Sequence, residues 1–186
     1  MKIRRLVTGH NEQGHSVFVS DDLAPRAQSF SSIPGHGMAQ IWSTPALPVL
    51  LAQGSDPTLA LASLIPAQGG TSIALFDFPP DSVMHNLVDG VKAYAELSAA
   101  LPGLIECFEP DSPGMHTTAT IDYGVILEGE MWLELDNGES RLVKAGDIVI
   151  QNGTRHAWRN KSEHIARALF VMIGVTPSAQ HLQGLP

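Results

Sequence analysis

The sequence predicts an all-β fold, and three features lead to this prediction. From residue 116 onward, stretches rich in β-branched and aromatic residues alternate with tight turns that carry Gly, Asn or Asp. These strands recur roughly every eight to twelve residues, which is typical of antiparallel sandwiches and barrels. Only one stretch has a good helical pattern. With 186 residues, the chain is long enough for a single domain with a sizeable core.

The first half of the chain carries strand patterns between loops rich in Pro, Gly and Ser. Loops are expected over 21–37 and over 45–70, the second with a short turn of helix. Apolar, β-branched and aromatic residues around these loops favour strands. The expected strands of this half cover residues 3–8, 16–20, 38–44 and 71–80.

One helix is expected over 89–104, where Ala and Leu are frequent. Its apolar residues recur at the three- and four-residue spacing of a helix face. They are Val91, Tyr94, Leu97 and Leu101. A Pro-Gly pair directly after this pattern ends the helix. We expect the helix, residues 89–101, to pack on the sheets rather than to close them off.

The second half of the chain reads as six strands joined by short turns. The Asn137-Gly138 pair is the strongest hairpin signal, because Asn-Gly suits the type I′ turn. The last residues, 176–186, are polar and end in Pro, so we expect an arm or a frayed end. The expected strands cover residues 118–127, 130–135, 140–145, 147–151, 155–160 and 166–175.

Composition excludes several classes of function. The formal net charge of −8 argues against nucleic-acid binding and against an anionic membrane surface. No stretch approaches the roughly 18 consecutive apolar residues of a membrane helix. A single cysteine, Cys107, excludes an intramolecular disulfide framework and is expected to be a packed thiol. Because the chain starts without an apolar leader pattern, we expect a cytoplasmic protein.

The residues with the most chemistry lie on two of the expected strands. His116, Thr118 and Asp122 are all even-numbered, so along an extended strand they point to the same face. His156 and Trp158 share a face of a second strand in the same way. Two imidazoles and one carboxylate that converge from neighbouring strands suit a divalent metal.

Two motifs in this region resemble those of the cupin superfamily. In the first motif His116 and Gly129 match, with Thr118 in place of the second His, Asp122 in place of Glu and Pro110 in place of the first Gly. The matches of the second motif are Gly146, Gly153, His156 and Asn160, and Gln151 stands where the family has Pro. The resemblance covers residues 112–174 well, and the earlier residues match loosely.

The resemblance implies a double-stranded β-helix barrel of the jelly-roll kind. Residues 1–110 are then an N-terminal extension that packs on the barrel and extends its sheets, and 111–175 are the motif core of the same domain. Barrels of this family usually pair through exposed sheet edges, so a homodimer is expected. A small organic molecule, aromatic or polyketide-like, is the expected ligand.

For function, the resemblance implies several alternatives. The leading one is a metal-dependent enzyme of dioxygenase, isomerase, decarboxylase or hydrolase type. His116, Asp122 and His156 would hold Fe, Zn, Mn or Ni, while Thr118 and Trp158 would line the substrate pocket. The second alternative is a metal-free protein that binds or senses a small ligand. The third is metal-free acid–base catalysis by His116 and Asp122.

Other polar residues are assigned to the scaffold. Asn160 is expected to cap a turn rather than to contact a ligand. Tyr123 has the opposite parity to Asp122 and is expected on the other face of the strand. The remaining candidate histidines lie in loops or turns and are expected at the surface: His36, His85 and His164.

Overall fold

The computed structural model describes residues 1–50 and 56–176, which form eleven β-strands and two α-helices. In the first half of the chain the strands are Arg4–His10 (β1), Ser16–Leu23 (β2), Arg26–Ser29 (β3), Gly37–Thr44 (β4) and Thr71–Phe78 (β5). In the second half they are Thr120–Glu128 (β6), Glu130–Glu134 (β7), Ser140–Lys144 (β8), Ile148–Asn152 (β9), Ala157–Arg159 (β10) and Ala166–Gly174 (β11). The helices are Asp81–His85 (α1) and Gly90–Ala100 (α2).

The strands form three antiparallel sheets. β1 pairs with β2, the order β10-β7-β8 forms a second sheet, and the third has the order β3-β4-β5-β11-β6-β9. In this six-stranded sheet β11 lies between β5 and β6, so strands from both halves of the chain share one sheet. The prediction of an all-β fold is confirmed.

The core lies on the inner faces of the two larger sheets. β11 shows the alternation most clearly, since every second residue from Ala166 to Gly174 is buried. That period of two is what a strand requires when only one of its faces packs on the core. The largest side chains of the core include Phe30, Ile33, Met38, Leu64, Phe76, Ile126, Met131 and Phe170.

The predicted helix is present as α2, and of its predicted apolar face Leu97 and Leu101 pack on the core. Asp89 caps the helix, its carboxylate accepting from the backbone N–H of Lys92 at 2.9 Å. Ala93 and Ala100 are buried, whereas Val91 is 85% exposed and Tyr94 63% exposed. The buried alanines belong to the core cluster, and the larger residues at the start of the pattern point outward. A second helix, α1, precedes it and was not predicted.

Most strand predictions are accurate and one loop prediction is wrong. All six predicted strands after residue 116 lie within two residues of the observed ones. Asn137 has a φ of 58°, the left-handed conformation expected for an Asn-Gly turn. The predicted loop 21–37, however, contains β3, which pairs with β4 at the edge of the sheet. The Pro and Gly residues of this stretch mark turns around a short strand rather than one continuous loop.

Some expectations fall on parts of the chain outside the described residues. These are residues 177–186 of the expected tail and 51–55 of the expected loop. Among the residues that are described, no helix is long and apolar enough to cross a membrane.

Candidate binding cavity and its histidine pair

A cavity of about 100 Å³ lies between the inner faces of the sheets. Most of its wall is apolar, and five polar side chains gather on the remaining part. The apolar wall consists of Phe76, Phe78, Leu101, Leu104, Phe108, Trp158, Phe170 and Met172. The polar group, called the polar end below, consists of His116, Thr118, Asp122, Gln151 and His156. His36 also lines the cavity.

Register across the six-stranded sheet brings the lining residues together. Met172 of β11 lies opposite Asp122 of β6, and Asp122 lies opposite Gln151 of β9. Directly opposed residues in antiparallel strands place their side chains on the same face of the sheet. The three side chains therefore reach the cavity as one row across three strands.

His116 and His156 are held together by their own backbones. The N–H of His116 donates to the carbonyl of His156 at 2.9 Å, and the N–H of His156 donates back at 3.0 Å. The centroids of the two imidazole rings are 4.2 Å apart. Phe108 stacks on the His116 ring at 4.5 Å, so this ring is fixed from a second side.

The backbone also sets which ring nitrogen of each histidine carries the proton. Nδ1 of His116 lies 3.1 Å from the carbonyl oxygen of Gly114, and Nδ1 of His156 lies 2.8 Å from that of Thr154. A carbonyl oxygen only accepts, so both Nδ1 atoms donate. In the neutral rings the lone pair is then on Nε2, available to a ligand or a proton.

Burial favours the neutral form of both histidines. It lowers the pKa of His116, against the opposing effects of the Gly114 carbonyl and the Glu109 carboxylate. Burial and then the neighbouring His116 lower the pKa of His156 to about 4, against the hydrogen bond to Thr154. The pair is thus a set of two uncharged proton acceptors near neutral pH.

Asp122 ends a short row of hydroxyl groups. Oγ1 of Thr118 and Oγ1 of Thr120 are 2.7 Å apart. Burial raises the pKa of Asp122, and a hydrogen bond from the Thr120 hydroxyl partly opposes this. Asp122 Oδ1 is buried and has no hydrogen-bond partner among the described residues.

Gln151 is the residue of the polar end that was not predicted from the sequence. Its side chain is 3% exposed, and neither its Oε1 nor its Nε2 has a hydrogen-bond partner within the described part of the chain. A signal was present in the sequence, because Gln151 stands where the second motif of the resembled family has Pro. His36 was expected at the surface and instead reaches the cavity, where its Nδ1 donates to the Asp77 carbonyl at 2.6 Å.

The predicted metal ligands share the cavity without forming a coordination cluster. Among residues 1–50 and 56–176, no group of three or more His, Cys, Asp or Glu side chains could hold a metal ion. The imidazole pair has the chemistry of two metal ligands, since metal-bound histidines usually donate their other ring N–H to an acceptor. Asp122 does not complete the set, so the three predicted ligands together do not fit a metal centre in this geometry.

Two arginines on the outer side of the β10 region fix the segment that leads into His116. Arg155 makes a two-point ion pair with Glu109, with both N–O distances 2.6 Å. Arg159 donates to the carbonyl of Pro113 at 2.7 Å and pairs with Glu134 at the same distance. The intervening His156 and Trp158 point inward. This alternation places His156 and Trp158 in the cavity lining.

The predicted site residues are therefore all in the cavity wall. His116, Thr118, Asp122, His156 and Trp158 line it. Tyr123, expected on the opposite face of β6, is 43% exposed. Asn160 caps the turn that follows β10, as expected: its Oδ1 accepts from the backbone N–H of Ser162 at 3.1 Å.

Comparison of the sequence with known proteins identifies the family of the chain. The family model described as the cupin domain matches residues 104–172. The chain is 48% identical over 66 residues to oryzines biosynthesis cluster protein J of Aspergillus oryzae, covering 35% of this chain and 37% of that relative. The matching part of the chain therefore spans well under half the length of that protein.

Two further relatives match along most of the chain. Phomopsin biosynthesis cluster protein C' of Diaporthe leptostromiformis is 35% identical over 176 residues, covering 93% of this chain and 79% of the relative. The cupin-domain-containing oxidoreductase fogC of Aspergillus ruber is 30% identical over 183 residues, covering 92% of this chain and 72% of the relative. The relatives are thus proteins of fungal biosynthesis clusters, including cupin-domain oxidoreductases. The chain belongs to the cupin superfamily.

Proposed function

We propose that this cupin is an enzyme that binds a small aromatic molecule in its barrel cavity and transfers a proton with its histidine pair. The observation that carries the proposal is a cavity lining that combines five aromatic rings with the five polar side chains of the polar end. A molecule with one ring and one polar substituent matches both parts. The names of the relatives, which come from biosynthesis clusters, also support a small organic substrate.

The size and wall of the cavity favour a single ring. Its volume of about 100 Å³ is of the order of the ~150 Å³ engineered cavities that hold one benzene molecule. Phe170 meets Trp158 edge-to-face with ring centroids 5.5 Å apart and meets Phe76 at 6.0 Å. Edge-to-face packing of this kind extends readily to an additional ring.

The histidine pair supplies the chemistry. Each ring offers an Nε2 lone pair, and its Nδ1 proton is held by a backbone carbonyl. Such a base takes a proton from an acidic C–H next to a carbonyl of the bound molecule. The electron pair left behind moves to a carbonyl oxygen of the substrate, giving an enolate, and the proton returns in the reverse step.

Phenylacetaldehyde in D₂O tests this proposal, since it has one ring, a carbonyl and an acidic benzylic C–H. Nuclear magnetic resonance is used to follow replacement of the benzylic protons by deuterium. We expect the protein to accelerate exchange and His116→Gln or His156→Gln to abolish the acceleration. His85→Gln, an exposed histidine at the end of α1, is the matched control and should exchange at the wild-type rate.

Two outcomes would count against the proposal. Exchange that persists in both His116→Gln and His156→Gln would place the base elsewhere. Binding without any exchange would favour the metal-free binding or sensing protein instead. That alternative needs only the cavity and no reactive group.

A metal-dependent enzyme is a second candidate, in which the two backbone-anchored imidazoles hold the metal without Asp122. Oxidoreductase relatives are consistent with it. Metal analysis of protein purified without a polyhistidine tag, before and after incubation with Fe, Zn, Mn or Ni salts, tests it. A stoichiometric metal that His156→Ala loses supports this candidate, and substoichiometric metal under all conditions contradicts it.

The homodimer is proposed on the basis of the sheet edges. β9 ends the six-stranded sheet, and on it Ile148 is 67% exposed and Ile150 54% exposed. An apolar edge strand of this kind is a surface that a second copy can cover. Light scattering coupled to size-exclusion chromatography tests this proposal, with Ile150→Lys expected to give the monomer. The cytoplasmic location stays a prediction.

A further inference from the structure

Three buried atoms at the polar end have no hydrogen-bond partner among the described residues. They are Asp122 Oδ1, Gln151 Oε1 and Gln151 Nε2. Asp122 is 7% exposed and Gln151 3% exposed, so bulk water does not reach either side chain freely. Buried polar atoms are nearly always hydrogen-bonded, and each one left unpaired costs about 1–3 kcal/mol. Such atoms in a cavity wall are available to hydrogen-bond a ligand.

The three atoms belong to two residues on neighbouring strands. Asp122 and Gln151 are directly opposed in β6 and β9, and both line the cavity. Side chains of directly opposed residues lie roughly 4.5–5.5 Å apart at Cβ. One substituent of a ligand can therefore contact both side chains at once.

The chemistry of these atoms specifies that substituent. The Asp122 and Gln151 oxygens are two acceptors, and the Gln151 nitrogen is a donor. The complementary group has two N–H donors and one oxygen acceptor attached to the same carbon, which is the composition of a primary carboxamide. Its carbonyl accepts from Gln151 Nε2, one of its N–H bonds donates to Gln151 Oε1, and the other donates to Asp122 Oδ1.

A carboxylate does not fit the same place. The residues that line the cavity include neither Lys nor Arg, and all of them belong to the described part of the chain. A charged group buried without a counter-charge is strongly disfavoured. It would also place its oxygens against those of Asp122 and Gln151.

We infer that Gln151 is a specificity-determining residue that recognises a primary carboxamide, or a group with the same donor–acceptor pattern, on the aromatic ligand. This inference rests on the proposed function, because it assigns the polar half of the same cavity. It also accounts for Gln at the motif position where the family has Pro. Proline has no side-chain polar atom and could not make these contacts.

Calorimetric titration with benzamide, acetophenone and benzoate tests the inference. Acetophenone keeps the ring and the carbonyl of benzamide but lacks the N–H donors, and benzoate carries the charge. With two or more additional hydrogen bonds, we expect benzamide to bind roughly tenfold or more tightly than acetophenone. Benzoate should bind more weakly than either.

Gln151→Leu should remove the preference for benzamide while leaving acetophenone affinity within a few-fold of wild type. Gln151→Glu, which keeps the size of the side chain and replaces the donor by an acceptor, should lower the preference as well. Gln40→Leu is the matched control. Gln40 is a fully buried glutamine in the same sheet whose Oε1 is also unpartnered among the described residues, but it does not line the cavity. Its preference for benzamide should equal that of wild type.

The outcomes separate this inference from the proposed function. If acetophenone and benzamide bind to wild type with equal affinity, the carboxamide assignment is wrong, but the aromatic cavity is still supported. A preference for benzamide that survives in both Gln151 variants overturns the role of Gln151. If none of the three compounds binds to wild type, the single-ring cavity of the proposed function fails and the inference fails with it.

Discussion

Two buried side-chain amides, Asn160 and Gln151, lie nine residues apart and differ in almost every contact. Asn160 Nδ2 donates to the carbonyls of Phe78 and His164 at 2.9 and 2.7 Å. Asn160 Oδ1 accepts from the backbone N–H and the hydroxyl of Ser162 at 3.1 and 2.8 Å. Gln151 makes no hydrogen bond through its side chain within the described residues.

The difference separates a scaffold amide from a recognition amide. Asn160 joins the end of β5 to the turn before β11, and its backbone N–H also donates to Asp81 at 2.9 Å at the start of α1. Both Nδ2 and Oδ1 of Asn160 are thus hydrogen-bonded within the protein. Gln151 is similarly buried, but its Nε2 and Oε1 have no hydrogen-bond partner among the described residues. Because Gln151 also lines the cavity, its unpaired amide is available to a ligand, whereas the amide of Asn160 is not.

Asn160→Leu should have the largest effect on stability. The change removes four hydrogen bonds of a fully buried amide, two donated to the Phe78 and His164 carbonyls and two accepted from Ser162. We therefore expect a loss of about 2–4 kcal/mol in the free energy of unfolding. Urea denaturation followed by circular dichroism measures it. Asn152→Ala, an exposed asparagine at the end of β9, is the control and should lie within about 0.5 kcal/mol of wild type. A loss as small as that of the control would show that the turn does not depend on Asn160.

The pH dependence of stability should reveal the histidines of the polar end. The pKa of His156 falls from 6.5 to about 4 on folding, so the unfolded chain binds more protons than the native protein between these values. Stability from this group is complete above pH 6.5 and is lost as the pH falls toward about 4. A tenfold difference in proton affinity between the folded and unfolded chains corresponds to about 1.4 kcal/mol of stability.

Urea denaturation of chelator-treated protein from pH 7 to pH 4 measures this effect against His156→Gln. Asp122 contributes with the opposite sign, because its pKa is raised. The difference between the two profiles isolates His156. Wild type should lose more stability than the variant over this window, and parallel profiles would contradict the buried neutral imidazole.

Strand alternation was sufficient to predict which residues line the cavity, but not how close Asp122 lies to the histidines. Parity put His116, Thr118 and Asp122 on one face, and the structure places all three in the cavity wall. Alternation shows which face a side chain is on but not how far apart two side chains are. His116 and Asp122 are six positions apart, and six residues of extended chain span up to roughly 20 Å. Whether Asp122 reaches the histidines depends on how the chain bends before β6. The sequence pattern does not encode that bend.

Contacts between strands were the other part that the sequence could not supply. Gln151 was visible as a departure from the second motif, yet its position opposite Asp122 depends on the register of β6 and β9. The partners of Asn160 come from β5 and α1, about 80 residues earlier in the chain. His36 reaches the cavity from a turn whose position depends on β3. This strand was not predicted, because the Pro and Gly residues around it favoured a loop.

Gln151→Leu should have a smaller effect than Asn160→Leu and the opposite sign. Removing two buried atoms that lack partners relieves an unfavourable term, so we expect the ligand-free protein to gain about 1 kcal/mol. In a domain of this size that corresponds to a rise of roughly 2–4 °C in Tm. Differential scanning calorimetry measures it. A clear loss of stability would show that Gln151 contributes to the scaffold, as Asn160 does, and would remove the contrast between the two amides.

Ser162→Ala should have the smallest effect and should depend on Asn160. The Ser162 hydroxyl donates to Asn160 Oδ1, and the side chain is partly exposed, so water replaces much of what the change removes. We expect a loss of about 0.5–1 kcal/mol in wild type and a smaller loss in Asn160→Leu, where the hydroxyl keeps only its hydrogen bonds to the backbone of His164. A double-mutant cycle in urea gives the coupling directly. Additive losses would mean that the turn is a set of independent contacts, whereas coupling of this size makes Asn160 the centre of one cooperative network.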